Sequence, residues 1–158
     1  MHKDVVIVGA GISGIGAAYN LQKSCKAKSF AIIEGRSDLG GTWDLFKYPG
    51  IRSDSDMHTL GFRFKPWIND KSIADGPSIL NYLNETTDEY NIREKILFNH
   101  KVKSANWISA ESVWELEVHD DNNSINKFTC NFLFMCGGYY SYDKPHQPDF
   151  NGQESFNG

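Results

Sequence analysis

The sequence predicts an α/β domain with a central parallel sheet, helices on one side and an inserted antiparallel β-meander. The apolar run Val5 to Val8 leads directly into closely spaced glycines and then into a helical pattern. A second apolar run, Phe30 to Glu34, completes a βαβ unit within the first thirty-odd residues. Further along the chain, short segments with strand-like alternation are separated by turns, which is typical of a meander.

The first unit is the most clearly patterned part of the chain. Val5 to Val8 is apolar throughout, as in a strand that is buried on both faces of a parallel sheet. The helical pattern runs from Ile12 to about Lys23, and its small residues allow close packing on the sheet. The passage from Gly35 to Gly76 has no clear period, and loops of this length are usually functional.

The second half of the chain predicts one helix and a set of strands. Pro77 marks the first turn of the helix, whose buried face carries Ile79, Leu83, Thr86 and Tyr90. The strands of the meander are His100–Ile108, Val113–His119 and Ile125–Cys130, and a buried run, Phe132–Met135, follows them. The meander should form a smaller β layer on one side of the central sheet, with Trp107 and Trp114 packed inside it.

The composition fits one folded domain and disfavours several kinds of partner. The chain has 158 residues, of which 40% are hydrophobic, and its net charge is −4. It has no run of Lys and Arg that could follow a phosphate backbone, so we expect no nucleic-acid partner. The apolar runs are much shorter than the roughly 20 residues of a membrane-spanning helix, so we expect no transmembrane segment. The start, Met1 to Asp4, leaves no room for a signal peptide.

The cysteines and histidines predict neither a disulfide framework nor a metal site. Cys25, Cys130 and Cys136 are odd in number and lack metal-binding spacing, and the five histidines are scattered. A reducing, cytoplasmic location is therefore expected. Cys136 is interpreted as a small buried hydrophobic residue, because no cationic residue neighbours it in the sequence.

The glycines after the first strand form a dinucleotide-binding motif. Gly9, Gly11 and Gly14 have the G-x-G-x-x-G spacing between a buried strand and a helix. They allow, in that order, a tight turn, close approach of a pyrophosphate and close packing of helix on strand. Glu34 follows Gly14 by 20 residues, where a carboxylate can accept hydrogen bonds from a ribose. The alternative is a glycine turn that serves packing alone, with Glu34 a solvated strand end.

This motif does not separate FAD from NAD, since both carry a pyrophosphate and an adenosine ribose. Arg36 could suggest recognition of a 2′-phosphate, but Glu34 would repel that group, so Arg36 is interpreted as flanking.

The next passage carries a resemblance to a known family. The stretches GGTWDLFKYPGIRSDSD and GFRFKPW, after the glycine motif and Glu34, resemble the N-terminal FAD-binding part of the class B flavoprotein monooxygenases. The similarity is greatest to the Baeyer-Villiger type that includes ethionamide activators. CGGYYSYDKPHQPDF resembles the close of the first nucleotide-binding section in this family, with Gly137 in place of a hydroxyl residue, so any contact of that hydroxyl is in doubt. Phe156 to Gly158 resemble the start of the family fingerprint F-x-G-x-x-x-H-x-x-x-W-P.

The resemblance implies a Rossmann-like FAD/NAD(P)-binding fold and a set of FAD contacts. The residues expected to meet the pyrophosphate are Gly9, Gly11, Ile12, Ser13 and Gly14, and Glu34 is expected to bind the adenosine ribose. The residues expected to line the path toward the flavin are Gly41, Thr42 and Trp43, with Tyr48 near the flavin and the backbone of Val102 at the adenine. Trp43 and Trp67 could equally be core aromatics, and for Trp67 this is the preferred interpretation.

Asp54 is the candidate catalytic residue. In the family this carboxylate lies beside the flavin and pairs with a catalytic arginine that is outside this chain. The alternative for Asp54 is a helix cap or turn residue within SDSD.

The implied activity is that of an NADPH- and O₂-dependent flavin monooxygenase that inserts one oxygen atom into a ketone or onto a sulfur or nitrogen centre. Residues 1–158 would be the N-terminal portion of its FAD-binding domain. NADPH would be bound mainly by residues beyond this chain. The incomplete domain would have exposed edges, through which copies of the chain can associate. The alternatives are another FAD-dependent oxidoreductase, an oxidase or reductase, and a non-catalytic flavin-binding module.

Overall fold

Six strands form one sheet in this computed structural model, which describes residues 1–142, 144 and 146–158. The strands are β1 (His2–Val8), β2 (Phe30–Ile33), β3 (Ile96–Leu97), β4 (His100–Ile108), β5 (Val113–Asp120) and β6 (Ile125–Met135). Their order across the sheet is β3-β2-β1-β6-β5-β4. The helices are α1 (Ile12–Ser24), α2 (Thr42–Leu45), α3 (Met57–Leu60) and α4 (Gly76–Glu89), with short 3₁₀ turns at Arg93–Lys95 and Gln153–Ser155.

The first half of the sheet is parallel, as the apolar runs predict. β1 pairs in parallel with β2 on one side and with β6 on the other, and β2 pairs in parallel with β3. Val6 and Ile7 of β1 are completely buried although they point to opposite faces. The predicted βαβ unit is confirmed.

The two long helices cover one face of the sheet. Ile15 of α1 and Ile79 and Leu83 of α4 pack in one core with Ile7 and Ile32 of the strands. α4 begins one residue before Pro77, because the Asp75 carboxylate caps its first turn.

The meander covers the other face. β4, β5 and β6 pair antiparallel, and Leu116 and Phe128 pack in a second core with Val6 and Ile33 of the parallel strands. The predicted smaller β layer is thus present, but it is continuous with the central sheet, because β6 pairs with β5 at one end and with β1 at the other.

Three expectations for these strands are wrong. Ile125–Cys130 and Phe132–Met135 belong to one strand, with Asn131 in line between them. The last part of that strand is not buried, since Phe132 is 56% exposed. Phe132 pairs with Val5 of β1 and lies on the helix side of the sheet, where the described helices do not cover it. Trp107 is 47% exposed and makes an edge-to-face contact with Trp114, at 5.6 Å between ring centroids, instead of packing inside the meander.

The passage from Gly35 to Gly76 contains two single-turn helices, α2 and α3, and two isolated bridges, Arg52 with Asp75 and Phe62 with Lys65. Trp67 is buried in the helix-side core, as preferred from the sequence, and its ring nitrogen donates to the Lys71 carbonyl at 2.9 Å. Among the described residues, no helix combines the length and apolar character needed to cross a membrane.

Candidate functional site

The glycine turn lies where the carboxyl ends of β1, β2 and β6 meet. The Gly9 N–H donates to the Ile33 carbonyl, and the Cys136 N–H donates to the Val8 carbonyl, both at 2.8 Å. Gly9 has φ = +103°, and a Cβ added there would lie 2.5 Å from the Cys136 carbonyl oxygen. A side chain at this position is therefore excluded by the fold itself.

The other two glycines of the motif differ from each other. A Cβ on Gly14 would lie 2.0 Å from the Gly9 carbonyl oxygen, so Gly14 permits α1 to pack at the end of β1. A Cβ on Gly11 would meet only the Gly41 backbone, at 3.6 Å, which is an ordinary van der Waals contact. Packing within the chain explains Gly9 and Gly14 but not Gly11.

The start of α1 presents backbone donors beside this open space. Its first intrahelical bond runs from the Ile15 N–H to the Gly11 carbonyl at 3.0 Å, which leaves the N–H groups of Ile12, Ser13 and Gly14 without that kind of partner. The N-cap residue, Gly11, has no side chain that could accept from these N–H groups, and the first turn has no acidic residue. Together with the helix dipole, these donors favour an anion.

The Glu34 carboxylate lies against the glycine turn. Its side chain is nearly buried, one oxygen accepts from the Ala10 N–H at 2.7 Å, and the other accepts from the Arg36 N–H at 3.0 Å. A carboxylate oxygen can accept more than one hydrogen bond, so both oxygens keep capacity for a ligand hydroxyl. Glu34 is therefore fixed in place by the backbone and not a freely solvated strand end.

The second glycine segment lies beside the first. The Gly40 N–H donates to the Ala10 carbonyl at 3.0 Å, and a Cβ on Gly41 would come within 3.2 Å of the Gly11 Cα. Thr42 and Trp43 follow in α2, and the Trp43 ring packs against the helix-side core while it remains partly exposed.

Val102 is also brought to this part of the molecule. The His100 N–H, at the start of β4, donates to the Glu34 carbonyl at 2.8 Å. Val102 lies two residues further along, at the edge of a β-bulge between Val102 and Ser104. β4 is an edge strand of the sheet, so its outer backbone groups have no neighbouring strand within the part of the chain that the structure describes.

Tyr48 and Asp54 line a separate open cleft of about 590 Å³. Arg52 lines the same cleft, and the pattern YPGIRSD alone does not mark it as a site residue. Along the chain, residues 42–48 lead from the second glycine segment to this cleft. The structure thus places the predicted residues in two sets, one around Gly11 and Glu34 and one around Asp54.

Asp54 does not cap a helix. The cap of α3 is Asp56, whose carboxylate accepts from the Thr59 N–H at 2.9 Å. The cap interpretation of Asp54 is therefore wrong, whereas the turn interpretation stands, because Asp54 lies in a bend of the chain. Asp54 also affects a neighbour: the pKa of Tyr140 is raised, first by its hydrogen bond with Tyr139 and further by the negative charge of Asp54.

The thiol near the glycine turn has no sign of redox activation. Cys136 is partly buried against the helix-side core, and burial raises its pKa. A raised pKa keeps the thiol protonated at neutral pH and makes it a poor nucleophile. The interpretation of Cys136 as a small buried residue agrees with this environment. In the segment from Cys136 to Phe150, Asp143 and Pro145 lie outside the described residues.

Comparison with known sequences finds a matching family model for the first half of the chain and similar monooxygenases over nearly all of it. Residues 7–70 match the NAD(P)-binding Rossmann-like domain family. The chain is 57% identical over 157 residues to the FAD-containing monooxygenase EthA of Mycolicibacterium smegmatis, covering 99% of this chain and 32% of that protein. It is 50% identical over 157 residues to the probable FAD-binding monooxygenase AlmA of Acinetobacter baylyi, with the same coverage of 99% and 32%. The resemblance to the N-terminal FAD-binding part of the class B flavoprotein monooxygenases is confirmed.

Solved structures of monooxygenases share the architecture described above. An oxidized steroid monooxygenase bound to NADP superimposes with a TM-score of 0.80 at 28% identity, covering 98% of this chain and 29% of that one. The OTEMO complex with FAD and NADP gives a TM-score of 0.76 at 30% identity, covering 99% and 29%. The chain thus spans about a third of the length of its curated relatives.

Proposed function

We propose that residues 1–158 bind FAD and form the N-terminal portion of the FAD-binding domain of an NADPH- and O₂-dependent monooxygenase. The enzyme would insert one oxygen atom into a ketone or place it on a sulfur or nitrogen centre. Similarity to FAD-containing monooxygenases over 99% of the chain supports this reaction class. Bound FAD supplies the redox and oxygen chemistry, whereas the protein supplies binding, orientation and exclusion of water.

The cofactor proposal rests on Gly11, which has no side chain. The surrounding chain would tolerate a Cβ there, so packing does not explain the glycine, whereas its bare backbone leaves room for a ligand to come close. The uncapped start of α1 next to Gly11 offers N–H donors to a pyrophosphate. Gly9, Ile12, Ser13 and Gly14 complete this proposed cradle.

Glu34 is proposed to hold the adenosine ribose. Its carboxylate is already oriented by the Ala10 and Arg36 N–H groups, so little ordering is left to occur when a ribose hydroxyl donates to it. The backbone of Val102 is proposed to contact the adenine, since β4 starts at a hydrogen bond to Glu34.

The remaining predicted residues are proposed to serve the flavin half. Gly41, Thr42 and Trp43 follow the glycine turn and would line the way from the adenosine to the cleft of Tyr48 and Asp54. Asp54 is proposed as the catalytic carboxylate, and its place in an open cleft and its lack of a capping role support this. Arg52 in the same cleft offers a positive charge to the ligand or to Asp54.

A labelling experiment tests the reaction class. The native protein that contains this sequence is supplied with FAD, NADPH and ¹⁸O₂, and with a panel of ketones, sulfides and amines. A monooxygenase consumes NADPH faster in the presence of a substrate and yields a product with one ¹⁸O atom per molecule. Mass spectrometry of the product and a parallel assay of hydrogen peroxide are the readouts.

The two alternatives give different results in the same experiment. An oxidase or reductase would form hydrogen peroxide, or pass electrons elsewhere, without labelling any product. A non-catalytic flavin-binding module would bind FAD but would not oxidise NADPH in a substrate-dependent way. Either result would overturn the monooxygenase proposal.

The cellular location is proposed as cytoplasmic. Cys25, Cys130 and Cys136 are free thiols, which fits a reducing compartment.

A further inference from the structure

Two glycine segments far apart in the sequence must lie together to form the proposed FAD site. The Gly40–Gly41 segment lies against Gly11, yet the helix that follows it, α2, is a single turn with no buried residue. Packing of α2 alone is therefore a weak means of holding this segment. The start of the segment is held by Leu39, which is buried in the helix-side core, and by the hydrogen bond from the Gly40 N–H to the Ala10 carbonyl at 3.0 Å. A further polar contact can fix its other end, at Gly41.

Arg36 makes that contact. One nitrogen of its guanidinium donates to the Gly41 carbonyl at 3.3 Å, and another forms an ion pair with the Asp44 carboxylate in α2. The Arg36 and Asp44 side chains are 31% and 16% exposed, so the pair is partly shielded from solvent. Partial burial makes an ion pair stronger than an exposed pair of the same kind, and the second nitrogen of Arg36 adds a charge-assisted hydrogen bond to a carbonyl.

The contact continues to the ribose side of the site. The backbone N–H of Arg36 donates to the Glu34 carboxylate, which also accepts from the Ala10 N–H. A single series of polar contacts therefore joins the first glycine turn, the end of β2 and the second glycine segment. Lys47 is the other cation near Asp44, at 3.8 Å from its second oxygen, and its side chain is 76% exposed.

The pair also changes the charge that a ribose would encounter. An arginine near the end of the second strand is the group that accommodates the 2′-phosphate of NADP in dinucleotide sites. Here Asp44 neutralises the Arg36 guanidinium and turns it toward α2, while the Glu34 carboxylate stays beside the glycine turn. The charge that remains on the ribose side is negative, which disfavours a 2′-phosphate.

We propose that Arg36 is a positioning residue for the Gly40–Gly41 segment and that Asp44, by holding Arg36, makes this site select dinucleotides without a 2′-phosphate. This inference rests on the proposed FAD site and goes beyond it. It replaces the interpretation of Arg36 as a flanking residue.

Nucleotide binding by the 158-residue chain tests the proposal. The probes are ADP-ribose and 2′-phospho-ADP-ribose, which differ only in the phosphate, and isothermal titration calorimetry gives both dissociation constants. The wild-type chain should prefer ADP-ribose. Asp44→Asn frees the guanidinium, so the preference should shift toward the 2′-phospho ligand by roughly tenfold, the usual effect of one charge-assisted hydrogen bond. The shift should disappear in the Arg36→Met, Asp44→Asn double variant.

Arg36→Met tests positioning without introducing a free cation. It should weaken ADP-ribose binding by roughly fivefold to tenfold, and it should not shift the selectivity ratio toward the 2′-phospho ligand, because the Asp44 carboxylate is left without its arginine partner. Lys47→Met is the matched control, because it removes a neighbouring cation that makes no contact with Gly41; both constants should stay unchanged. Thermal unfolding of every variant separates loss of binding from loss of fold.

Each outcome has a defined meaning. An unchanged selectivity ratio in Asp44→Asn would overturn the selectivity role, and wild-type affinity in Arg36→Met would overturn the positioning role; in both cases the FAD site itself would stand. A wild-type chain that is folded but binds neither ligand would overturn the FAD site and this inference together.

Discussion

At the scale of single residues, the three motif glycines have different physical causes. Gly9 is required by its positive φ and Gly14 by the close approach of α1 to β1, so the fold needs both even without a ligand. Gly11 is the residue that the fold alone does not explain. The motif predicted this division, with the tight turn at Gly9, the close approach of a pyrophosphate at Gly11 and the packing of helix on strand at Gly14; the structure supplies the contacts that explain Gly9 and Gly14.

Substitution of these glycines tests the distinction directly. Gly14→Ala places a methyl group 2.0 Å from a backbone oxygen, so it should lower the free energy of unfolding by about 3 kcal/mol. Gly11→Ala should leave the free energy of unfolding within about 0.5 kcal/mol of the wild type and still abolish FAD binding. Urea denaturation and flavin fluorescence are the two measurements.

Gly137→Ala is the matched control for both variants. Gly137 follows Cys136, near the same turn, and a Cβ there meets nothing within 4 Å. It should retain stability, so an added methyl group near this turn is not destabilising in itself. Equal destabilisation by Gly11→Ala and Gly14→Ala would mean that the whole motif serves packing.

At the scale of elements, hydrophobic period and turn residues were enough to predict α1, α4 and the strands of the meander. The bounds of β4 agree with the prediction, and α1 differs only by its last residue. β3, α2 and α3 were not predicted, because elements of two to four residues are too short to show a period. The exposed end of β6 was wrongly predicted as buried, because an apolar run does not reveal which face is covered.

The cap of α4 allows a prediction about pH. The Asp75 carboxylate accepts from the Ser78 hydroxyl and N–H, and these hydrogen bonds, with a smaller effect of the Lys71 charge, hold the pKa of Asp75 below its ordinary value. A lowered pKa in the folded state means that the ionised cap stabilises the fold above the unfolded-state pKa of about 4. This stabilisation is lost as the pH falls through the lower, folded-state pKa.

Asp75→Ala should therefore destabilise the chain by about 1 kcal/mol at pH 7, and the difference from wild type should shrink below about pH 4. Chemical denaturation at a series of pH values measures it. Asp70→Ala, at an exposed aspartate in the preceding loop, is the control and should have little effect. A difference that grows on acidification would contradict the assigned role of the cap.

At the scale of the whole molecule, the fold brings the glycine turn, Glu34 and the Gly40–Gly41 segment to one place, while Tyr48 and Asp54 lie in a cleft further along. The sequence predicted the glycine turn and Glu34 through their spacing, and the Gly40–Gly41 segment through the resemblance to the family. It could not predict the Arg36–Asp44 contact, because an ion pair within an aperiodic loop has no pattern. Self-association through exposed edges stays a prediction; the sheet has β3 and β4 at its edges.

The central claim is that this chain holds the adenosine and pyrophosphate half of FAD. The most direct test is a titration of the purified 158-residue chain with FAD, followed by flavin fluorescence and repeated in the presence of excess ADP or excess FMN. We expect saturable binding of one FAD per chain that ADP displaces and FMN does not, because the residues around Gly11 and Glu34 contact the part of FAD that ADP contains. A folded chain that shows no saturable binding, or binding that FMN displaces and ADP does not, would contradict the account.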